Sequence, residues 1–118
     1  MKFQQNKIED ILTIETSGDL LAEDARELDV VLRDLLEGGV KKIVLDLTRT
    51  EVIASLGLGV ILANLVQFRK RHGEILLAGV SNFVRKSLKI TRCDSVIKSF
   101  TTVPEALSEF QLKPAESK

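Results

Sequence analysis

The 118 residues contain no tryptophan or tyrosine, two prolines, one cysteine and one histidine. Cys93 therefore cannot close a disulfide within the chain, and with His72 as the only imidazole a Cys/His zinc site is excluded. Five phenylalanines supply few stacking platforms, which argues against single-stranded nucleic acid as a ligand. No apolar run approaches the ~20 residues that span a bilayer, and Met1 to Gln5 lacks the apolar stretch of a secretory signal. A cytoplasmic protein without membrane insertion is expected. Excess charge of one sign is also missing. The 17 basic and 17 acidic side chains cancel, leaving no global field to attract DNA, RNA or an anionic membrane. Their distribution is uneven: residues 1–54 carry net −5 and residues 55–118 net +5, which predicts faces of opposite sign.

What is present is an ordinary globular composition, 44% hydrophobic and 29% charged. A chain of this size buries roughly two-thirds of its extended surface, enough for one domain with a real core. Phe3 to Ile8 and Ile11 to Thr16 are short β-type runs about a turn at Glu9-Asp10. Ala25, Leu28, Leu32, Leu35 and Leu36 recur at helical spacing before Gly38-Gly39, predicting an amphipathic helix over Ala22–Glu37. Val40–Leu47 reads as a central strand buried on both faces. A loop over Thr48–Ala54 leads to a second helix with the stripe Leu58, Ile61, Leu62, Leu65 and Phe68, closed by Gly73 behind Arg69 to His72. Glu74–Val80 is a further strand, Ser81 precedes a short basic helix, and Val96–Thr101 is a weaker strand. Thr102, Pro104 and Glu105 mark the start of a last helix ending near Phe110. The order predicts an α/β fold, a mixed and mostly parallel sheet with amphipathic helices, over residues 1–110, with a flexible tail over 111–118.

Chemistry is expected where a buried strand hands over to a helix, at Ala54-Ser55-Leu56-Gly57-Leu58-Gly59. On spacing alone Ser55 is the N-cap of the second helix, and Gly57 and Gly59 permit close approach of its first turn to the sheet or to a partner. Two helical glycines cost about 1 kcal/mol each against alanine, so close packing should compensate. A hydroxyl at a helix start is also where a phosphate is well tolerated. The segment lacks the further Gly, Lys and Ser/Thr of a phosphate-cradling P-loop, which weighs against a nucleotide sensor. His72 with Arg69 to Arg71 reads as cations complementing a helix C-terminus; Lys86, Lys89 and Arg92 either extend them into a basic patch or, as such tracts usually do, form a solvated face. Glu23, Asp24, Glu27 and Asp34 read as solvated acidic surface. Spacing supports no Ser-His-Asp or paired-carboxylate arrangement, so the chain is not expected to be an enzyme.

Gly18-Asp19-Leu20, Val44-Leu45-Asp46-Leu47, Ala54 to Gly59 and Thr91-Arg92-Cys93-Asp94 resemble the landmarks of the STAS domain, as in bacterial anti-sigma factor antagonists, over about Lys2 to Phe110. In that family the central motif reads Asp-Ser-Ser/Ala-Gly-Leu-Gly, and its first serine is phosphorylated by an anti-sigma factor that is also an ATP-dependent serine kinase. Ser55 matches that serine, and Gly57, Leu58 and Gly59 match the closing Gly-Leu-Gly. The resemblance implies a partner-switching regulator. It would bind the anti-sigma factor when unphosphorylated, be released by phosphorylation of Ser55, and be restored by a phosphatase; the ATP and Mg²⁺ belong to the kinase, so no cofactor is expected here. Partner contacts are expected from Gly18, Asp19, Leu20, Leu21 and from Ala54, Ser55, Leu56, Gly57, Leu58 and Gly59.

The chain departs from the family pattern in four places, the first being Leu56 in the Ser/Ala position after the serine. Ala54 stands where an Asp usually precedes the serine, Leu21 stands where Gly-x-Leu-Asp would end in Asp, and Arg92-Cys93 replaces Gly-Leu, with Cys93 read as a small core residue. Without the two carboxylates the surroundings of Ser55 are more apolar than the family norm. This keeps a second reading open, a non-phosphorylated STAS binding subunit of a membrane transporter assembly.

Overall fold

The computed structural model describes residues 2–112. Its sheet has the order β1(Phe3–Ile8), β2(Ile11–Thr16), β3(Lys42–Asp46), β4(Glu74–Ala78), β5(Ser99–Phe100). The first pair is antiparallel and the rest are parallel, the mixed arrangement expected. Glu9 turns the hairpin at φ 58°, and a 3.0 Å ion pair from Lys42 to Asp10 ties its tip to β3. That hydrogen bond holds the Asp10 carboxyl below its ordinary pKa.

Among the described residues three helices connect the parallel strands, α1(Ala22–Glu37), α2(Ser55–Lys70) and α3(Asn82–Ile90), and a fourth, α4(Val103–Leu112), follows β5. Alternation along the strands sorts the core into two layers. Ile43, Leu45, Ile75 and Leu77 point to α1, α2 and α3, where Leu28, Leu32, Ile61, Leu65, Phe68, Val84 and Leu88 meet them. Val44, Leu76 and Ala78 point the other way, onto Ala106 and Phe110 of α4. The three successive parallel crossovers thus lie on one face, as right-handed connections along a sequential strand order require.

The helix ends follow local chemistry. Asp24 accepts a 2.8 Å hydrogen bond from the Leu21 N–H at the start of α1, and Gly39 at φ 97° reverses the chain after it. Ser81 caps α3 by accepting from Val84 N–H at 3.1 Å. Thr102 accepts from Glu105 N–H, while the Glu105 carboxylate reaches back to Thr101 N–H.

Several expectations need correction. Ala54, not Ser55, is the N-cap of α2; Ala54 is extended (φ −68°, ψ 155°) and Ser55 is already helical. The expected strands at Val40–Leu47, Glu74–Val80 and Val96–Thr101 shorten to the spans above, the last because a 3-10 turn at Cys93–Ser95 consumes its approach. His72 lies beyond the last turn of α2, at φ 65°, and Gly73 serves another purpose than chain reversal: a Cβ there would stand 2.5 Å from the Lys41 carbonyl oxygen. Arg69 lies in the last turn of α2 as expected, and it also forms a bidentate pair with Glu74 at 2.8 Å and donates to Val96 O. Cys93 is buried in the core as expected. The preceding Arg92 takes the left-handed conformation (φ 62°) at the position where the family pattern usually has glycine. Helix α4 runs to Leu112, and positions 113–118 of the expected tail lie outside the described residues.

Candidate functional site

Ser55 stands at the C-terminal end of the parallel strands, where three loops converge: 17–21 after β2, 47–54 after β3 and 79–81 after β4. Polar side chains staple the loops together. One carboxylate oxygen of Asp19 accepts from both Glu51 N–H and Val52 N–H at 3.1 Å. Thr50 donates to Gly18 O at 2.8 Å, and Ser81 donates to Glu51 O at 2.7 Å. Asp46 folds the start of the second loop by accepting from both the N–H and the hydroxyl of Thr48. Gly79 (φ 71°) lies so close to Thr48 that a side chain there would collide with it. Most of these contacts are exposed to solvent, so they serve to hold the three loops in one arrangement.

The first and second loops also join as a short parallel ladder. Leu20 N–H donates to Val52 O at 2.9 Å, Ala54 N–H donates to Leu20 O at 2.8 Å, and Leu20 bridges Ile53. The ladder holds Ala54 in extended conformation, so the helix can begin only at Ser55. The first α2 turn then closes through Gly57 N–H to Ala54 O, 2.8 Å, leaving the Ser55 and Leu56 N–H groups ahead of the first helical bond. The Ser55 hydroxyl is exposed and takes no part in capping, and the first turn contains no acidic residue.

The ten residues expected to contact a partner divide by burial. Leu20, Gly57 and Leu58 are buried and build the platform. Gly18 and Ala54 are half-buried, and the surface is presented by Asp19, Leu21, Ser55, Leu56 and Gly59. The two glycines differ. A Cβ on Gly57 would lie 2.8 Å from Ile53 Cγ2 and 3.1 Å from Leu20 Cδ2, whereas one on Gly59 would meet nothing within 4 Å. Gly57 is thus the close-packing residue that the sequence anticipated, and packing within the chain does not account for Gly59. Leu56, next to Ser55, and Leu21, which follows the ladder residue Leu20, are 42% and 53% exposed and form an apolar rim near the hydroxyl.

Sequence reasoning passed over Asn64. It is 3% exposed in mid-α2 and donates to Asp29 of α1 at 2.9 Å, fixing the angle between the two helices that carry the rim. An Asn among Leu and Val on an otherwise apolar face was the available signal.

A family model described as STAS domain matches residues 2–106. A relative from Thermotoga neapolitana, named Putative anti-sigma factor antagonist TM1081 homolog, is 32% identical over 110 residues, 92% of this chain and 97% of its own. The crystal structure of tm1081 from Thermotoga maritima superposes with a TM-score of 0.86 at 29% identity, covering 91% of this chain and 92% of that one. The phosphorylated form of SpoIIAA, described as a Bacillus cell fate determinant, superposes with a TM-score of 0.72 over 92% of this chain and 98% of its own; at 19% identity the likeness is one of fold.

Proposed function

The chain belongs to the STAS domain family, and on that premise we propose that it is an anti-sigma factor antagonist, a regulator that binds an anti-sigma factor through the Ser55 surface and is switched off by phosphorylation of Ser55. It acts as a kinase substrate, and its own chain performs no catalysis. The observation that carries the reading is the Ser55 hydroxyl, exposed on the first residue of α2 and without a hydrogen-bond partner among the described residues. Phosphate added there meets the positive end of a 16-residue helix and two N–H groups without a partner among the described residues, so the domain tolerates it. The added charge of about −2 falls at the apolar rim of Leu21 and Leu56, and a partner packed on that rim would have to desolvate it. Modification therefore leaves the fold in place and removes the binding surface, and a phosphatase reverses it.

The test is the intact mass of the protein purified from its native host, before and after phosphatase, together with the affinities of Ser55→Asp and Ser55→Ala for the anti-sigma factor. We expect one phosphatase-sensitive phosphate that disappears in Ser55→Ala. Binding should be retained by Ser55→Ala and weakened at least about tenfold by Ser55→Asp. An unmodified serine and equal affinities would sink the proposal.

A second reading is favoured by one observation: both positions where the family pattern usually supplies Asp carry apolar residues, Leu21 exposed and Ala54 half-buried. Under it the rim docks constitutively on a subunit of a membrane transporter assembly, with no phosphate involved. Leu21→Asp with Ala54→Asp separates the two. Under the constitutive reading the double variant should lose its apolar contact and take up no phosphate, whereas under the switch reading Ser55 should still accept phosphate from the kinase.

A further inference from the structure

The opposite halves of the chain's charge are gathered on the two flanks of one helix layer. Helix α1 carries six carboxylates against two arginines, net −4. Glu23, Glu27, Val30, Asp34 and Glu37 succeed one another at steps of four and three, so they form a single stripe along its exposed side. None of the four carboxylates in the stripe has an ion-pair or hydrogen-bond partner among the described residues. Such a row is self-repulsive on an isolated helix. At its centre Val30 is 58% exposed.

The far flank is the converse. Residues 82–98 hold five cations and one carboxylate, net +4. On and just after α3, the side chains of Arg85, Lys86, Lys89 and Arg92 are exposed and have no ion-pair or hydrogen-bond partner among the described residues. Phe83 and Ile90, seven positions and so two turns apart, project from one side of the same helix, 48% and 81% exposed. Helix α2 lies between the flanks, because the crossovers keep to the sheet order β2, β3, β4, β5. Each molecule therefore carries both halves of a charge-matched contact and cannot bring its own halves together. With net charge zero, two copies feel no overall repulsion.

We propose that the basic α3 ridge of one copy docks on the acidic α1 stripe of a second copy, with Ile90 and Phe83 meeting the apolar gap at Val30. The two surfaces differ, so the contact is head-to-tail and propagates into short open assemblies. It rests on charge complementarity and stands apart from Ser55.

Sedimentation velocity on the full chain tests it, with two charge-reversed variants: Glu27→Lys/Asp34→Lys and Lys86→Glu/Lys89→Glu. The wild type should show a sedimentation coefficient that rises with protein concentration at low salt and falls to the monomer value as salt is added. Each variant alone should associate at least about tenfold more weakly, and mixing the two should restore association, since attraction between copies is re-established. All four positions are exposed, and thermal melts establish that the variants fold. Should a reversal impair folding, the neutral pair Glu27→Gln/Asp34→Asn must still weaken association. A wild type that stays monomeric at low salt, variants that associate as well as the wild type, or a mixture that does not recover overturns the proposal. So does a ridge that sediments with phosphatidylglycerol vesicles while the protein remains monomeric, a result that would assign it to an anionic membrane instead.

Discussion

Ser55 lies one position too far into α2 to cap it, and the consequence is measurable. Capping serine or aspartate is worth about 1 kcal/mol, but the capping position is held by Ala54, which offers no side-chain acceptor. Ser55→Ala should therefore change the free energy of urea unfolding by less than about 0.5 kcal/mol, the usual range for an exposed side chain without a structural bond. Ala54→Asp should raise it by about 1 kcal/mol. A loss of about 1 kcal/mol in Ser55→Ala would mean that the hydroxyl holds the helix start and is not free for modification. The same residue-scale logic gives the family's usual Asp at this position a structural meaning: it would be the N-cap directly before the serine. Here that stabilisation is absent and the rim is apolar instead. The phase of the helix start was not legible in the residues, because Ala-Ser-Leu-Gly is compatible with a helix starting at either position.

At the scale of the element, α2 is a helix whose first turns contain two glycines with unlike roles. Gly57→Ala gains about 1 kcal/mol of helix propensity but loses about 1–3 kcal/mol to overpacking, because its Cβ would press on a β-branched methyl of Ile53 as well as on Leu20. A net loss of about 1 kcal/mol is expected. Gly59→Ala meets open space and should gain about 1 kcal/mol. Paired thermal melts check the order, and the reverse order would contradict the packing of α2 on the Leu20–Ile53 ladder. If Gly59 is small so that a partner can approach, its alanine variant will be more stable and bind less well. The elements themselves were largely legible. The stripe from Leu58 to Phe68 and the stop at Gly38-Gly39 are period and punctuation, which survive any tertiary setting. Asn64 was not, because its worth lies in Asp29, 35 residues away on another helix.

For the whole molecule, β3 and β4 belong to both cores: Ile43 and Leu45 face the three-helix layer while Val44 faces α4. Damage to either side should be felt by both. Phe110→Ala, in the smaller core, should cost about 3 kcal/mol and move one coincident urea transition, whether monitored by circular dichroism or by the amide signals of Leu45. Two separate transitions would mean that α4 undocks alone. The fold class, the central strand, the hairpin and the extent of α1 come from hydrophobic period, turn residues and chain order, and for those the sequence sufficed because each signal acts over a few neighbouring residues. Which side chains surround Ser55 was another matter. That Asp19 staples the loop before α2, that Leu20 and Leu58 are platform while Leu21 and Leu56 are rim, and that Ala54 is the cap all depend on the ladder between residues 20 and 53. Those 33 positions of separation are closed only when β2 and β3 pair, and no local pattern encodes a hydrogen bond whose two ends meet through the sheet.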